Sequence, residues 1–268
     1  MTRSLRTRRP AGDADYDRSG GGYSRTRRAD DRIARQVTSA LGRARTVINV
    51  GAGAGSYEPT DRYVSAVEPS ASMRSQRPPR LPPALDAVAE QLPFDDGSFD
   101  AAMATVTVHQ WRDWRQGVRE LRRVSRGAVV MLTFDPATFG DWWLAHYVPE
   151  LVDLTCSRLP AIDDLCDVLG GASDVTVIPT PADCADGFIE CFHARPEMLL
   201  RSQIWQSQSG WALLPLGVER RAIRQLAHDL RSGSWDRRFG SFRTRPVLRG
   251  SLRLVVGRPS APEWTTSR

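Results

Sequence analysis

At 268 residues, with 41% hydrophobic and 25% charged residues, the chain has the composition of one globular domain carrying insertions, and no apolar run approaches the roughly 18 residues that cross a bilayer. The formal net charge of +6 is concentrated at the start, where residues 1–28 hold eight arginines against three aspartates. The four cysteines lack CxxC spacing, so they read as reduced structural thiols, and no metal site is predicted.

The first ten residues are charged without an apolar core, so no secretory signal is predicted and a cytoplasmic protein is expected. A basic arm can bind nucleic acid, but no basic surface interleaved with aromatics continues into the domain. The arm therefore reads as a solvated extension. The predicted division is an arm and lid segment over 1–28, a domain over 29–258, and a tail over 259–268. Asp30 or Asp31 is placed to cap a helix whose apolar stripe is Ile33, Val37 and Leu41.

The β-branched run Val47, Ile48, Val50 then stops at three alternating glycines, Gly51, Gly53 and Gly55. A short apolar run closed by a turn reads as a buried parallel strand, and the glycines let a ligand approach the backbone. Seventeen positions after Gly51, the run ending at Val67 meets Glu68, placed as the acid that accepts from ribose hydroxyls at the end of a second strand. Ser56 breaks the dinucleotide fingerprint, and a chain without lysine has no P-loop. A nucleoside with little phosphate is the expected ligand. The connection after Gly55 is short and carries Pro59, so no full helix is expected there.

Further along, 85–89 reads as the third strand, 99–108 as the fourth and 128–133 as the fifth. An amphipathic helix spans 113–124, a helix covers 163–169, a sixth strand covers 174–178, and 251–256 reads as the seventh. His109 and Trp111 emerge at the end of the fourth strand. His109 is either a general base or a residue that shapes the pocket and packs on Trp111. The aromatic cluster Phe134 to Tyr147 follows the fifth strand, and Trp142, Trp143 and Tyr147 with Trp111 are the substrate candidates. Cap insertions are expected at about 136–172 and 181–248, because such lengths need secondary structure of their own.

Three segments together, Val50-Gly-Ala-Gly-Ala-Gly55, Val67-Glu-Pro-Ser70 and Ala89-Glu-Gln-Leu-Pro-Phe-Asp-Asp-Gly-Ser-Phe-Asp100, resemble the class I S-adenosylmethionine-dependent methyltransferases. The likeness covers about 16–136. It implies a Rossmann-like α/β fold with a seven-stranded, mostly parallel sheet, helices on both faces and a helical cap. S-adenosyl-L-methionine is the implied cofactor. The residues implied to hold it are Gly51, Ala52, Gly53, Gly55, Glu68, Pro69, Met73, Ala89, Glu90 and Thr107, with Tyr16, Tyr23 and Arg25 as a lid. Val88 stands where relatives often carry an adenine-binding aspartate, leaving the backbone near Ala89 or Asp86 for that contact.

The expected function is methyl transfer to a small, apolar or aromatic metabolite of natural-product type, with small molecules favoured over nucleic acid as partners and no membrane. The alternatives are an enzyme of the same fold that binds the cofactor but performs a cyclisation or rearrangement, and a non-catalytic binding protein.

Overall fold

The computed structural model describes residues 26–259. Asp30 caps helix α1 (Asp31–Ala40) by accepting the Arg32 N–H, and Ile33 and Val37 bury its apolar stripe. Strands β1 (Thr46–Val50) and β2 (Tyr63–Val67) run parallel, joined by a helix-free connection. After the short helix α2 (Ala71–Ser75) come β3 (Ala101–Thr105), α3 (Trp114–Val124) and β4 (Val129–Phe134). Asp113 caps α3 through the Gln116 N–H. Helices α4 (Leu144–Tyr147), α5 (Pro149–Arg158) and α6 (Ile162–Leu169) lead to β5 (Ala172–Val177).

The chain returns through β8 (Leu252–Arg258), antiparallel to both β4 and β5, giving the six-stranded order β2-β1-β3-β4-β8-β5. Between these lies a long insertion pinned at its base by the two-residue strands β6 (Thr180–Pro181) and β7 (Val247–Leu248). It carries α7 (Ser202–Gln206), α8 (Val218–Arg231) and α9 (Ser234–Phe239). One apolar cluster lies under α3 and α6, with Ile48, Val50 and Met131; the larger one joins α1, Val47 and Met103 to the insertion. No helix among the described residues is long and apolar enough to cross a membrane. Cys184 and Cys191 are buried free thiols with Sγ atoms 3.1 Å apart.

The Rossmann-like α/β architecture expected from the sequence is present, with six strands in place of seven. The expected third strand is reduced to Leu85, which bridges Val67, donates to the Ala66 carbonyl and accepts from the Glu68 N–H. Beyond it, the Ala87 N–H turns back to the Leu85 carbonyl instead of continuing a ladder. Pro82 and Pro83 just upstream offer no N–H to extend the bridge. The fourth strand ends earlier than expected, at Thr105, because Val106 has φ +53°. Arg27, counted with the arm, is packed into the body, its Nε donating to Asp186 Oδ1 at 2.7 Å. Residues 1–25 of the arm, Tyr16, Tyr23 and Arg25 among them, lie outside the described residues.

Without a helix after β1, the glycine turn needs another support. A buried ion pair supplies it. Arg77 Nη2 donates to Glu58 Oε1 at 2.8 Å, and the two side chains are 3% and 0% exposed, so water screens neither. Asn49 at the end of β1 donates to Glu58 Oε2 at 3.0 Å, tying the pair to the strand that launches the turn. The guanidinium also lies beside Gly55. Removing one member of a buried pair leaves an uncompensated charge and costs about 3–5 kcal/mol, whereas apolar replacement of both is far milder. Arg77→Met should therefore lower stability by that amount in denaturant unfolding, and Glu58→Met/Arg77→Met should recover more than half of it. Equal losses in the single and double variants would show that the pair is not the support.

Candidate active site

The three glycines adopt φ +68°, +51° and +94°, all in the left-handed region that side chains with a Cβ resist. Gly51 is the tightest: a Cβ there would sit 2.1 Å from Thr107 Oγ1, so the turn and the end of β3 touch directly. At Gly53 a Cβ would meet only the Met73 methyl at 3.2 Å, the flexible end of a side chain. The N–H groups of Gly51 and Ala52 both donate to the Val67 carbonyl at 2.9 Å, and Gly53 N–H donates to Glu68 Oε2 at 2.8 Å. These amides face inward and form no nest for phosphate, in keeping with the nucleoside expected from the sequence.

Glu68 is the hub. Its Oε1 accepts the Ser70 N–H at 2.8 Å, so the carboxylate clamps the turn after β1 to the start of α2. Burial pushes its pKa above the usual carboxylate range, opposed by the two backbone hydrogen bonds and by Arg74 and Arg77. Each carboxylate oxygen keeps a second lone pair, which is the capacity two ribose hydroxyls need. The bare glycine surface and this spare acceptor capacity fit S-adenosylmethionine.

The structure brings Gly51, Ala52, Gly53, Gly55, Glu68, Pro69, Met73 and Thr107 together around this turn. Ala89 packs with Val50, Val67 and Val108 beside it. Glu90 is turned away, its Oε1 accepting the Asp113 N–H at 3.0 Å. Asp86 lies 3.3 Å from Arg74, which engages its carboxylate.

Val106 is β-branched yet sits at φ +53°, a conformation that costs of order 1–3 kcal/mol and is kept where function demands it. The twist sends Thr107 against Gly51 and His109 into a separate cavity. That cavity is walled by Phe134, Phe139, Leu151, Leu159 and Phe188, and Arg27, Thr155, Arg158, Gln208 and Ser209 join His109 as polar residues lining it. His109 lies 3.5 Å through Nε2 from Ser209 Oγ, and its Nδ1 is buried without a hydrogen-bond partner among the described residues. Burial, then the charges of Arg158 and Arg27, push its pKa down to about 3. Asp186 joins three segments here, accepting from Arg27, from the Tyr57 hydroxyl at 2.6 Å and from the Gly187 N–H. Tyr57 itself has φ +61°. Glu190, pushed up to about 7 by burial, fixes the neighbouring turn by accepting from Ser251 N–H and Oγ.

The aromatic candidates do not line this cavity. Trp143 is buried in the core, its indole N–H donating to the His193 carbonyl at 2.7 Å and its ring edge-on to Trp235. Tyr147 donates to Asp229 of α8 at 2.9 Å, and Trp142 to the Phe139 carbonyl. The insertion covers these rings. Trp111 packs on Gly117 of α3, where a Cβ would be 2.5 Å from its ring. The two rings of that stretch that do face the cavity, Phe134 and Phe139, flank Asp135-Pro-Ala-Thr. Arg158, Phe188 and Ser209 carried no sequence signal.

Two outcomes test this arrangement. Gly51→Ala should cost at least about 2 kcal/mol, because left-handed strain adds to the Thr107 clash, whereas Gly53→Ala should cost less; thermal unfolding decides. Glu68→Ala should weaken S-adenosylhomocysteine binding by about 1.5–3 kcal/mol, the range for a hydrogen bond to a charged group. Glu68→Gln should be no milder, since its amide NH2 would face the N–H of Gly53 or Ser70. Calorimetric titration in which Gln binds as wild type would remove the clamp.

Residues 48–132 match the family model described as a methyltransferase domain. Comparison with curated protein sequences gives no match. Among solved structures, one described as a methyltransferase from an antibiotic biosynthesis pathway of Anabaena variabilis superposes with TM-score 0.81 at 26% identity, covering 87% of this chain and 98% of that one. The YcgJ protein of Bacillus subtilis gives TM-score 0.50 at 20% identity over 86% and 99% of the two chains. The [4+2]-cyclase SpnF gives 0.51 at 15% identity over 92% and 95%, a likeness of fold. S-adenosylmethionine, the cofactor expected from the sequence, is the one such a domain uses. The glycine turn, the Glu68 clamp and the match to a methyltransferase domain over residues 48–132 fall on the same strands, and the chain resembles the class I S-adenosylmethionine-dependent methyltransferases in its fold and in this site.

Proposed function

We propose that this protein transfers a methyl group from S-adenosylmethionine to a small, apolar or aromatic metabolite of natural-product type held in the cavity beyond β3. One observation carries the reading: Val106 turns Thr107 onto the glycine turn and His109 into the cavity, so the two compartments share one wall. The cofactor supplies an electrophilic methyl on a sulfonium. The chain's part is to hold a nucleophile in line and keep water out, which alone lowers a barrier substantially. Phe134, Phe139, Leu151 and Phe188 exclude water. The insertion over about 181–248 and the helices over about 136–172 act as caps in this reading, and Tyr16, Tyr23 and Arg25 remain lid candidates. The antibiotic-pathway relative supports a natural-product acceptor. Nucleic acid is not a partner in this reading.

His109 acts as a neutral group at physiological pH in this reading, because its depressed pKa makes it a poor base there. A second reading, cyclisation without methyl transfer, draws on the largely apolar walls of the cavity. Radiolabelled methyl transfer to an extract or metabolite panel separates the two. With an acceptor in hand, the wild-type pH–rate profile should show no limb in the ordinary histidine range near pH 6.5, and His109→Ala should raise acceptor KM while leaving the profile's shape intact. A limb there that disappears in His109→Ala would make His109 the base.

A further inference from the structure

We propose that residues 212–217 and the outer face of α8 form a docking surface for an anionic lipid bilayer. No helix among the described residues is long and apolar enough to cross a membrane, but lying on one needs only an apolar edge beside positive charge.

The edge is an apolar tip held out from the body. At its start, a Cβ on Gly210 would be 3.2 Å from Leu151 of the cavity wall, and the Trp211 ring stacks on Trp205 at 3.9 Å. Leu214 turns inward against the larger core cluster. The Leu213 N–H donates to the Gly210 carbonyl and the Val218 N–H to the Pro215 carbonyl, which fixes the turns between. With these anchors in place, Ala212, Leu213, Pro215 and Leu216 are left in water, Leu216 at 103% exposure, as much as in an extended chain. Nothing in the folded chain recovers the burial those leucines forgo, and a contiguous exposed apolar patch marks a contact surface. The tip is convex. A folded partner would need a pocket of matching shape, whereas a bilayer yields to a wedge.

Charge decides the nature of the contact. Gly217, at φ +92°, ends the tip and precedes α8. Arg220, Arg224 and Arg231 follow at i, i+4 and i+11, all exposed and within about 40° of one another around the helix. None of the three pairs with a carboxylate among the described residues; Arg224 Nε only donates to the Arg220 carbonyl. Arg221, off this stripe, is the one that pairs with Glu150. The two acids of α8 also lie off it: Asp229 is buried and accepts from Tyr147, and Glu219 is partly buried in the first turn. Arginines alone would serve an acidic protein, and leucines alone an apolar one. The two side by side match the layering of a bilayer, with headgroup charge above hydrocarbon. Each arginine near an anionic leaflet strengthens binding about fivefold.

The tip starts within three residues of Ser209, which lines the cavity, so docking brings the cavity wall to the lipid surface. The docking does not depend on which reaction the cavity performs.

The test sediments the whole chain with vesicles of phosphatidylcholine alone and of phosphatidylcholine mixed with phosphatidylglycerol. At physiological salt the protein should bind the mixed, anionic vesicles at least about tenfold more tightly. Leu213→Ser/Leu216→Ser should weaken that binding at least about tenfold, because two leucines no longer enter the lipid. Arg220→Gln/Arg224→Gln/Arg231→Gln should weaken it roughly a hundredfold and reduce its salt dependence. Unchanged thermal unfolding midpoints show that both variants are folded. Equal binding to the two vesicle types, or binding to neither, overturns the proposal. Binding that either variant keeps in full overturns it as well, pointing to the arginines of residues 1–28. So does a dimer in lipid-free solution that Leu213→Ser/Leu216→Ser dissociates, which would assign the tip to a second copy of the chain.

Discussion

The carboxylate of Glu68 holds the cofactor side of this molecule together. It reaches back from the end of β2 to the Gly53 N–H and forward to the Ser70 N–H, so one side chain fixes both the turn after β1 and the entry to α2. Burying a carboxylate is costly, and here two backbone donors and the nearby guanidiniums of Arg74 and Arg77 offset that cost. The arrangement also explains why a truncated connection suffices. A helix after β1 would ordinarily brace the glycine turn with its first amides and its dipole. Here the Glu58–Arg77 pair braces it, anchored to β1 through Asn49.

The cavity beyond β3 follows from a strained residue. Val106 ends β3 in the left-handed region, and its N–H is held by the Leu132 carbonyl of β4 at 2.7 Å. The strain is stored where the glycine turn and the cavity meet, as is common for positioned groups. On the opposite side, Asp186 gathers Tyr57, Arg27 and its own turn into one knot that ties the glycine loop's far end to the insertion.

Much of this was readable in the sequence, because the signals were local. Apolar runs closed by glycines fix buried strands, Asp30 and Asp113 cap the helices they precede, and Glu68 sits at the end of its strand. These depend on neighbours within a few residues, so periodicity and turn chemistry suffice. The third strand misled because an apolar run does not reveal how many ladder bonds it makes, and Leu85 makes only a bridge. Trp142, Trp143 and Tyr147 misled for a different reason. Aromatics after a strand end suit either a ligand or a partner helix, and α8 and α9 arrive from about 80 residues later to cover them.

The sequence by itself determined the strand–glycine-turn–strand–acid unit, the helix-free connection after Gly55 and the family resemblance, since each is written in contiguous residues. Only the tertiary structure decided which side chains form the cavity beyond β3 and the environment of the histidine in it. His109, Arg158 and Ser209 come from three separate segments, and the histidine's protonation depends on its burial and on guanidiniums distant along the chain. Electrostatics acts through space, so no reading along the chain could supply it.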